Sequence, residues 1–532
     1  MSDFNHKLDQ ATKLVARGRL SRRDFMQLAI AAGLTVPAAT AMFTRAARAE
    51  PKKGGLFRIG LGHGATTDSL DPATYPDLMT MTSLWGTCSN SLTVVDAKGN
   101  IQPDLAESFE PSDGAKKWVF KIRKGVTFHD GRPVKSSDVI ASYRHHMGEN
   151  SKSAAKSLLE PIGDIVADGE ETVIFQLKGG NADFPFIASD YHIPVMPAKE
   201  DGSADWASMN RTGPYKLDKW EPGVRATAKR NPNYFGTAWF DDIEINVIAD
   251  VSARTNALTS GEVDFIDRCD LKTIDLLKQS PDLEVDTVSG YGHYIFVMNV
   301  QQAPFDNPDV RNALKYAIDR QSVVDKVFRG YASAGNDDPI APSVKFAVNP
   351  EPIHKYDPAK AKEFLKKAGL ETLKVDLSVA DAAFAGAVDA GALFQESARA
   401  AGIEINLVKE ADDSYWDVVW LKKPFVASYW NGRPTCDWMF TQAYAADAAW
   451  NDTFWKNPRF NELLIAARSE TDDTKRAAMY AEMQQLVHDD GGLINMVFNA
   501  YVNAHSKKIA HGEIASNWDG DGAKLTSRWW MA

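Results

Sequence analysis

Between residues 415 and 455 stand six of the chain's fourteen tryptophans, Trp416, Trp420, Trp430, Trp438, Trp450 and Trp455, interleaved with Tyr415, Tyr429, Tyr444, Phe425, Phe440 and Phe454. Flat rings with one polar tip suit a cleft that buries a small molecule and still orients it; core packing is the competing use of any single ring. No reactive centre accompanies them. His129 and the pair His145-His146 have no Cys, His or Asp at a zinc or iron spacing, so no metal is expected. The string nearest to a nucleophile elbow, Tyr331-Ala332-Ser333-Ala334-Gly335, lacks its leading glycine, so no catalytic residue is assigned. The glycines at 60, 62 and 64 approach a dinucleotide fingerprint, but residues 66–72 are turn chemistry with a proline where a helix should open, and no cofactor is expected.

The elements that must position these rings read as α/β. Strand patterns at residues 56–59, Thr172–Leu177, 212–217 and 241–248 alternate with helical ones at 252–260, ended by Gly261, and then 263–266 reads as a strand again. Residues 296–299 form another strand pattern. Val310, Ala313, Leu314, Ala317 and Ile318 then share one helical face, with Asn307 as cap and Pro308 at the first position. A second helix starts at Asp357 and Pro358, turns Ala361, Phe364 and Leu365 inward and stops before Gly369.

A chain of 532 residues with 44% hydrophobic and 25% charged residues is an ordinary globular sequence of two or three domains. Its formal net charge of −11 argues against nucleic acid as a partner. The first 49 residues are a separate object. Arg22 and Arg23 precede a weakly apolar, Ala-rich stretch, and Ala47 and Ala49 supply small residues at a cleavage site. This resembles a twin-arginine export signal; a retained membrane anchor is the alternative. Removing it takes away eight Lys/Arg and three Asp/Glu and leaves a net charge of −16. Cys88, Cys269 and Cys436 are too few for a disulfide framework, and at most one pair could form.

Residues 103–139 contain Pro103-Asp104-Leu105-Ala106-Glu107-Ser108-Phe109, then Trp118-Val119-Phe120-Lys121-Ile122-Arg123-Lys124-Gly125-Val126, then Phe128-His129-Asp130-Gly131-Arg132-Pro133-Val134. Read physically, Trp118, Phe120 and Ile122 bury one strand face, Asp130-Gly131 turns, and Ser136 or Ser137 caps a helix with Val139 and Tyr143 inward. The string resembles the signature of the peptide/nickel/opine class of periplasmic solute-binding proteins, and residues 54–370 follow that class. The resemblance implies a two-lobed periplasmic-binding-protein fold (type II, cluster C) with an extra subdomain inserted in the first lobe. Lobe I would comprise 50–293 and 497–532, with the insert at about 75–210, and lobe II would comprise 294–496.

The class also suggests where a ligand sits. Its loop ending in Leu-Asp-Pro, here Leu70-Asp71-Pro72, lies along the cleft, which makes His63 and Asp68 candidates. Residues 429–440 occupy the place of a loop that in peptide binders looks like Gly-Trp-x-Gly-Asp followed by Asp-Pro-Asp and a Phe; Trp430, Gly432 and Phe440 match. Where those binders hold the ligand's amino group with an aspartate, this chain has Arg433. Two positive charges about 4 Å apart repel by roughly 4 kcal/mol at an effective dielectric near 20, nearly three decades of affinity. A guanidinium fork suits a carboxylate or phosphate instead. The expected ligand residues are therefore Arg433, Trp430, Asn431, Gly432, Tyr429, Trp416, His63 and Asp68, with Asp437 as a substitute amine holder if the loop is shifted.

The expected function is the substrate-binding component of an ABC importer, a monomer in the periplasm. It would capture a peptide-like or opine-like solute with a carboxylate and deliver it to permease subunits in the inner membrane, having met the twin-arginine translocase during export. An exported enzyme, or a sensor uncoupled from a permease, are the alternatives.

Overall fold

A long strand, Leu283–Met298, forms the middle of the molecule together with its antiparallel partner Leu493–Ser506. The computed structural model describes residues 11, 22–31, 34–35, 39, 51–149, 151–412 and 415–532. The strand expected at 296–299 is only the end of the sixteen-residue Leu283–Met298. The two long strands belong to an eleven-stranded mixed sheet. Its order is Ile403–Lys409, Leu373–Val379, Phe425–Trp430, Leu283–Met298, Leu493–Ser506, Phe265–Ile266, Leu56–Leu61, Asp242–Val247, Arg225–Arg230 and Tyr215–Glu221, with Ala332–Ala334 beside Leu493–Ser506.

Parallel pairing occurs towards the two ends of this sheet. Leu56–Leu61 pairs in parallel with both Asp242–Val247 and Phe265–Ile266, and Leu373–Val379 with Ile403–Lys409. Parallel neighbours require crossover connections, and the helices supply them, among them Val251–Thr259 and Ala387–Arg399. Buried side chains form separate clusters on either side of the long strands. One runs from Tyr291 to Phe498, another gathers Phe57, Ile59, Phe240, Phe265 and Trp529, and a third covers residues from Leu92 to Val195.

The third cluster sits on a four-stranded antiparallel sheet, Ala106–Ser112, Lys117–Ile122, Thr172–Leu177 and Ile162–Ala167. Trp118, Phe120 and Ile122 are buried on one face of it, as the alternation predicts, and Val139 and Tyr143 pack inward from the helix Ser136–Met147. The cap differs from expectation. The helix begins at Ser136 itself, so neither serine precedes it; Asp138 reaches back to accept from the Lys135 N–H at 2.8 Å, and the Ser136 hydroxyl donates to Gly169 O at 2.7 Å.

Elsewhere the caps follow the sequence. Asn307 Oδ1 accepts from Asp309 N at 2.9 Å ahead of Pro308–Ala317, Asp357 Oδ1 from Lys360 N at 2.9 Å ahead of Pro358–Lys367, and Gly369 takes φ +76° just beyond. Arg22 and Arg23 lie on the helix Arg22–Ala31, their side chains outside the described residues, as are Ala47 and Ala49 altogether. Cys88, Cys269 and Cys436 are free and buried. Among the described residues no helix is long and apolar enough to cross a membrane.

Candidate functional site

The ladder between the long strands slips between Ser289 and His293. Two glycines stand in the slip because the Asn499 amide fills the space beside them: a Cβ on Gly290 would lie 2.7 Å from Asn499 Oδ1, and one on Gly292 3.0 Å from it. Gly432 is needed for the same reason. A Cβ there would stand 1.8 Å from Tyr291 Cβ, so the loop after Phe425–Trp430 lies directly on the slip. The aromatic segment is thereby fixed to the point where one half of the sheet gives way to the other.

Half of the rings of that segment are core. Tyr415, Phe425, Phe440, Tyr444 and Trp455 are buried, with the Tyr415 hydroxyl on Ala427 O at 2.7 Å and the Trp455 indole on Asp490 Oδ2 at 2.8 Å. Trp430 is also buried, its ring 6.1 Å from that of Trp450, so it braces an exposed ring and does not itself present a face. Three rings remain more than one-third exposed: Trp416 at 37%, Tyr429 at 37% and Trp450 at 48%. Trp416 meets Tyr429 edge-on at 5.5 Å and Trp420 at 5.7 Å, and Trp420 meets Trp450 at 6.3 Å, which makes one continuous aromatic wall. Behind it Asp452 accepts from the Trp420 indole at 3.1 Å and the Ser428 hydroxyl at 3.4 Å, and burial raises its pKa to about 6.

Arg433 is half-buried at the end of this wall, next to the exposed Asn431. Its Nε donates to Gln442 Oε1 at 2.6 Å, and its Nη1 to Asn431 O at 2.7 Å and Gly432 O at 3.2 Å. Among the described residues Nη2 makes no hydrogen bond. Burial lowers its pKa against the attraction of Tyr191, Asp190 and Tyr429. Asp190 is already engaged, its Oδ1 accepting from the His192 backbone N–H at 2.9 Å and lying 2.7 Å from His192 Nδ1. Asp437 does not take the amine-holding place. It sits in the first turn of Cys436–Ala443, buried, with Oδ1 accepting from Arg468 Nε at 3.1 Å, and so ties two helices together.

A second wall, reached across the long strands, is charged where this one is aromatic. His63 is exposed on the loop after Leu56–Leu61 and hydrogen-bonds Arg268 Nη1; burial and the Arg268 charge lower its pKa. Asp68 is buried and accepts from Ala65 N at 2.9 Å, so it shapes the loop and points no charge outward. Arg268 lies 3.7 Å from Asp519 and 3.9 Å from Asp267, which in turn accepts from Gly62 N at 2.8 Å. Burial and the Asp519 carboxylate hold Asp267 above the ordinary carboxylate range, despite Arg254 and Arg268. The Arg268 charge reaches Tyr294 and Tyr501, and Tyr294 is the register partner of Tyr429, so the walls meet at the slip.

The sequence reading missed Arg268, Asp519, Asp190 and Tyr191. The one local sign of Asp519 is the run Asn517-Trp518-Asp519-Gly520-Asp521-Gly522, whose residues 520–522 have φ between 59° and 67°. Nothing local marks the other three.

Comparison with known proteins identifies the family and the fold. The profile described as bacterial extracellular solute-binding proteins, family 5 Middle, matches residues 100–452. The "Glutathione-binding protein GsiB" of Escherichia coli (strain K12) is 26% identical over 482 residues, 85% of this chain and 90% of that protein. Among solved structures, HbpA2 from Haemophilus parasuis superposes with a TM-score of 0.80 at 19% identity, covering 90% of this chain and 100% of the other. AgaA in complex with agropinic acid, from A. tumefacien R10, superposes with a TM-score of 0.71 at 23% identity, covering 90% and 99%. The fold is thus that of the two-lobed periplasmic binding proteins.

Proposed function

Because the chain belongs to the bacterial extracellular solute-binding proteins of family 5, we propose that it captures a small carboxylate-bearing, peptide-like or opine-like solute for an ABC importer. The observation that carries the proposal is Arg433. Its guanidinium is held from behind by Gln442 and two carbonyls, Nη2 is left without a hydrogen bond among the described residues, Tyr429 is near enough to act on its charge, and the exposed Trp416 ring meets that of Tyr429 at 5.5 Å. A planar donor with a spare edge next to exposed rings suits a carboxylate on a partly apolar molecule. Arg268 on the second wall, 52% exposed, offers a second cation to the same solute. Glutathione and agropinic acid, named for two similar proteins, both carry carboxylates.

In this reading lobe I is 50–293 with 497–532, lobe II is 294–496, the insert is about 75–210, and the strands bend at the slip between Ser289 and His293. Closure on the solute marks the loaded state for the permease, and catalysis plays no part. The protein acts as a periplasmic monomer exported by the twin-arginine route. Changing Arg22 and Arg23 together to Lys then blocks its accumulation outside the cytoplasm; normal accumulation contradicts that route.

Calorimetry with glutathione, short peptides and opines, each beside its amide, tests the cargo. Acids should bind and amides should not. Arg433→Ala should weaken the bound acid by about 2–5 kcal/mol. An unchanged dissociation constant leaves Arg433 as a loop brace, and silence across the acids overturns the cargo class.

A further inference from the structure

On the first-lobe side of the slip, three side chains from two distant parts of the chain converge. Asp286 comes from Leu283–Met298, His505 from Leu493–Ser506, and His511 from the loop after the short strand Ile509–Ala510. His505 Nε2 lies 3.2 Å from Asp286 Oδ2 and His511 Nε2 3.4 Å from the same oxygen; all three atoms are within 4.8 Å of one another. Each imidazole has its other nitrogen on a backbone carbonyl, His505 Nδ1 3.0 Å from Ser506 O and His511 Nδ1 2.8 Å from Gly512 O. A neutral ring that donates from Nδ1 keeps a lone pair on Nε2, aimed here at its neighbours. Asp286 Oδ2 and His505 Nε2 are buried without a hydrogen-bond partner among the described residues.

We propose that Asp286, His505 and His511 form a binding site for one divalent cation of the zinc class. Two imidazoles and a carboxylate are a zinc-type donor set, and bonds of about 2.0–2.2 Å at tetrahedral angles put ligand atoms about 3.3–3.5 Å apart. Of the two nitrogen–oxygen separations, 3.4 Å falls within that edge length and 3.2 Å just below it. The rings are supported from outside the site: Trp529 lies 5.2 Å from the His505 ring and 4.4 Å from the His511 ring. The His505 side chain is 2% exposed, but Asp286 and His511 keep 13% and 17%, which leaves an opening for a water as fourth ligand. The ion would pin the C-terminal segment to the two long strands. Asp286 is eight residues from Tyr294, about 25 Å along a strand, so the ion would lie far from the aromatic wall.

The test uses the exported chain without a histidine tag, stripped with a chelator. Zinc alone should bind at one equivalent and raise Tm, and cobalt(II) alone should give the intense visible bands of tetrahedral coordination. Asp286→Asn combined with His511→Gln should weaken zinc by about 100-fold or more, while binding of a carboxylate solute stays as it was. A cobalt spectrum of octahedral intensity in the unmutated protein overturns the proposal. So does zinc binding of equal strength in the double variant, and the cobalt result stands even if that variant does not fold.

Discussion

The unit at residues 103–139 and the segment at 415–455 both carry aromatic rings, yet the structure uses them differently. Trp118 is buried, packs near Phe109, Phe120 and Phe184, and donates its indole N–H to Asn181 O at 3.0 Å. Asp138, also buried, accepts from Arg132 at 2.8 Å, Lys135 N at 2.8 Å and Ala198 N at 2.7 Å. Those groups are used up in folding. In the later segment three rings stand exposed, and among the described residues Arg433 Nη2 makes no hydrogen bond and the buried Asp452 Oδ1 has no partner. Unspent valence, more than aromatic density, separates a site from a scaffold.

The comparison breaks most sharply at Trp118. Trp118→Ala removes a large ring from a packed core and leaves Asn181 O without its donor, so urea denaturation should show a loss of about 3–5 kcal/mol. Solute affinity of the fraction that stays folded should not move. If affinity falls with stability, the unit is part of the site after all.

A smaller effect comes from the histidines that each region hides. His293, register partner of Trp430, is buried with neither ring nitrogen in a well-formed hydrogen bond among the described residues; burial, opposed by the nearby Tyr291 backbone and aided by the Arg433 charge, pushes it down to about 3. His129, which has Gly213 O at 3.1 Å, is pushed by burial to about 4. A base whose folded pKa is depressed contributes its full stability above the unfolded value near 6.5 and loses it as pH falls, because only the unfolded chain takes the proton. Between pH 7 and 5 His293 should therefore cost about 2 kcal/mol. His293→Phe should lessen the loss of unfolding free energy between these pH values by that amount. Parallel curves for the variant and the unmutated protein would mean that His293 finds a partner.

How legible all this is from sequence depends on range. The alternation of Trp118, Phe120 and Ile122 and the caps at Asn307 and Asp357 are set by neighbours in the chain, and they read correctly. The cap at Ser136 misreads because Ser136 is already the first residue of the helix and gives its hydroxyl to Gly169 O, a partner from another part of the chain, while Asp138 reaches back to the Lys135 N–H. The long strand Leu283–Met298 shows only its last residues to a periodicity argument, since Gly290 and Gly292 interrupt the pattern for the sake of Asn499 on another strand. Arg433 was visible as a departure from a family pattern. Arg268 with Asp519, and Asp286 with His505 and His511, exist only once the register of the sheet is known, and no spacing encodes them.

The finest test sets Trp450 against Trp118. Trp450 is 48% exposed and touches its neighbours at ring separations of 6.1 and 6.3 Å. Truncating a half-exposed ring removes little buried area, so Trp450→Ala should change unfolding free energy by about 0.5 kcal/mol or less. If the exposed wall receives a solute, the same change removes a stacking or hydrophobic face and should weaken binding by about 1 kcal/mol, near fivefold. Calorimetry and denaturation on one preparation separate the two. An affinity unchanged by the loss of Trp450, with Arg433→Ala still damaging, would narrow the site to the guanidinium end of the wall, leaving Tyr429 and Trp416 as its aromatic floor. The reverse result would move recognition from charge to ring stacking and make an uncharged amide as good a ligand as the acid.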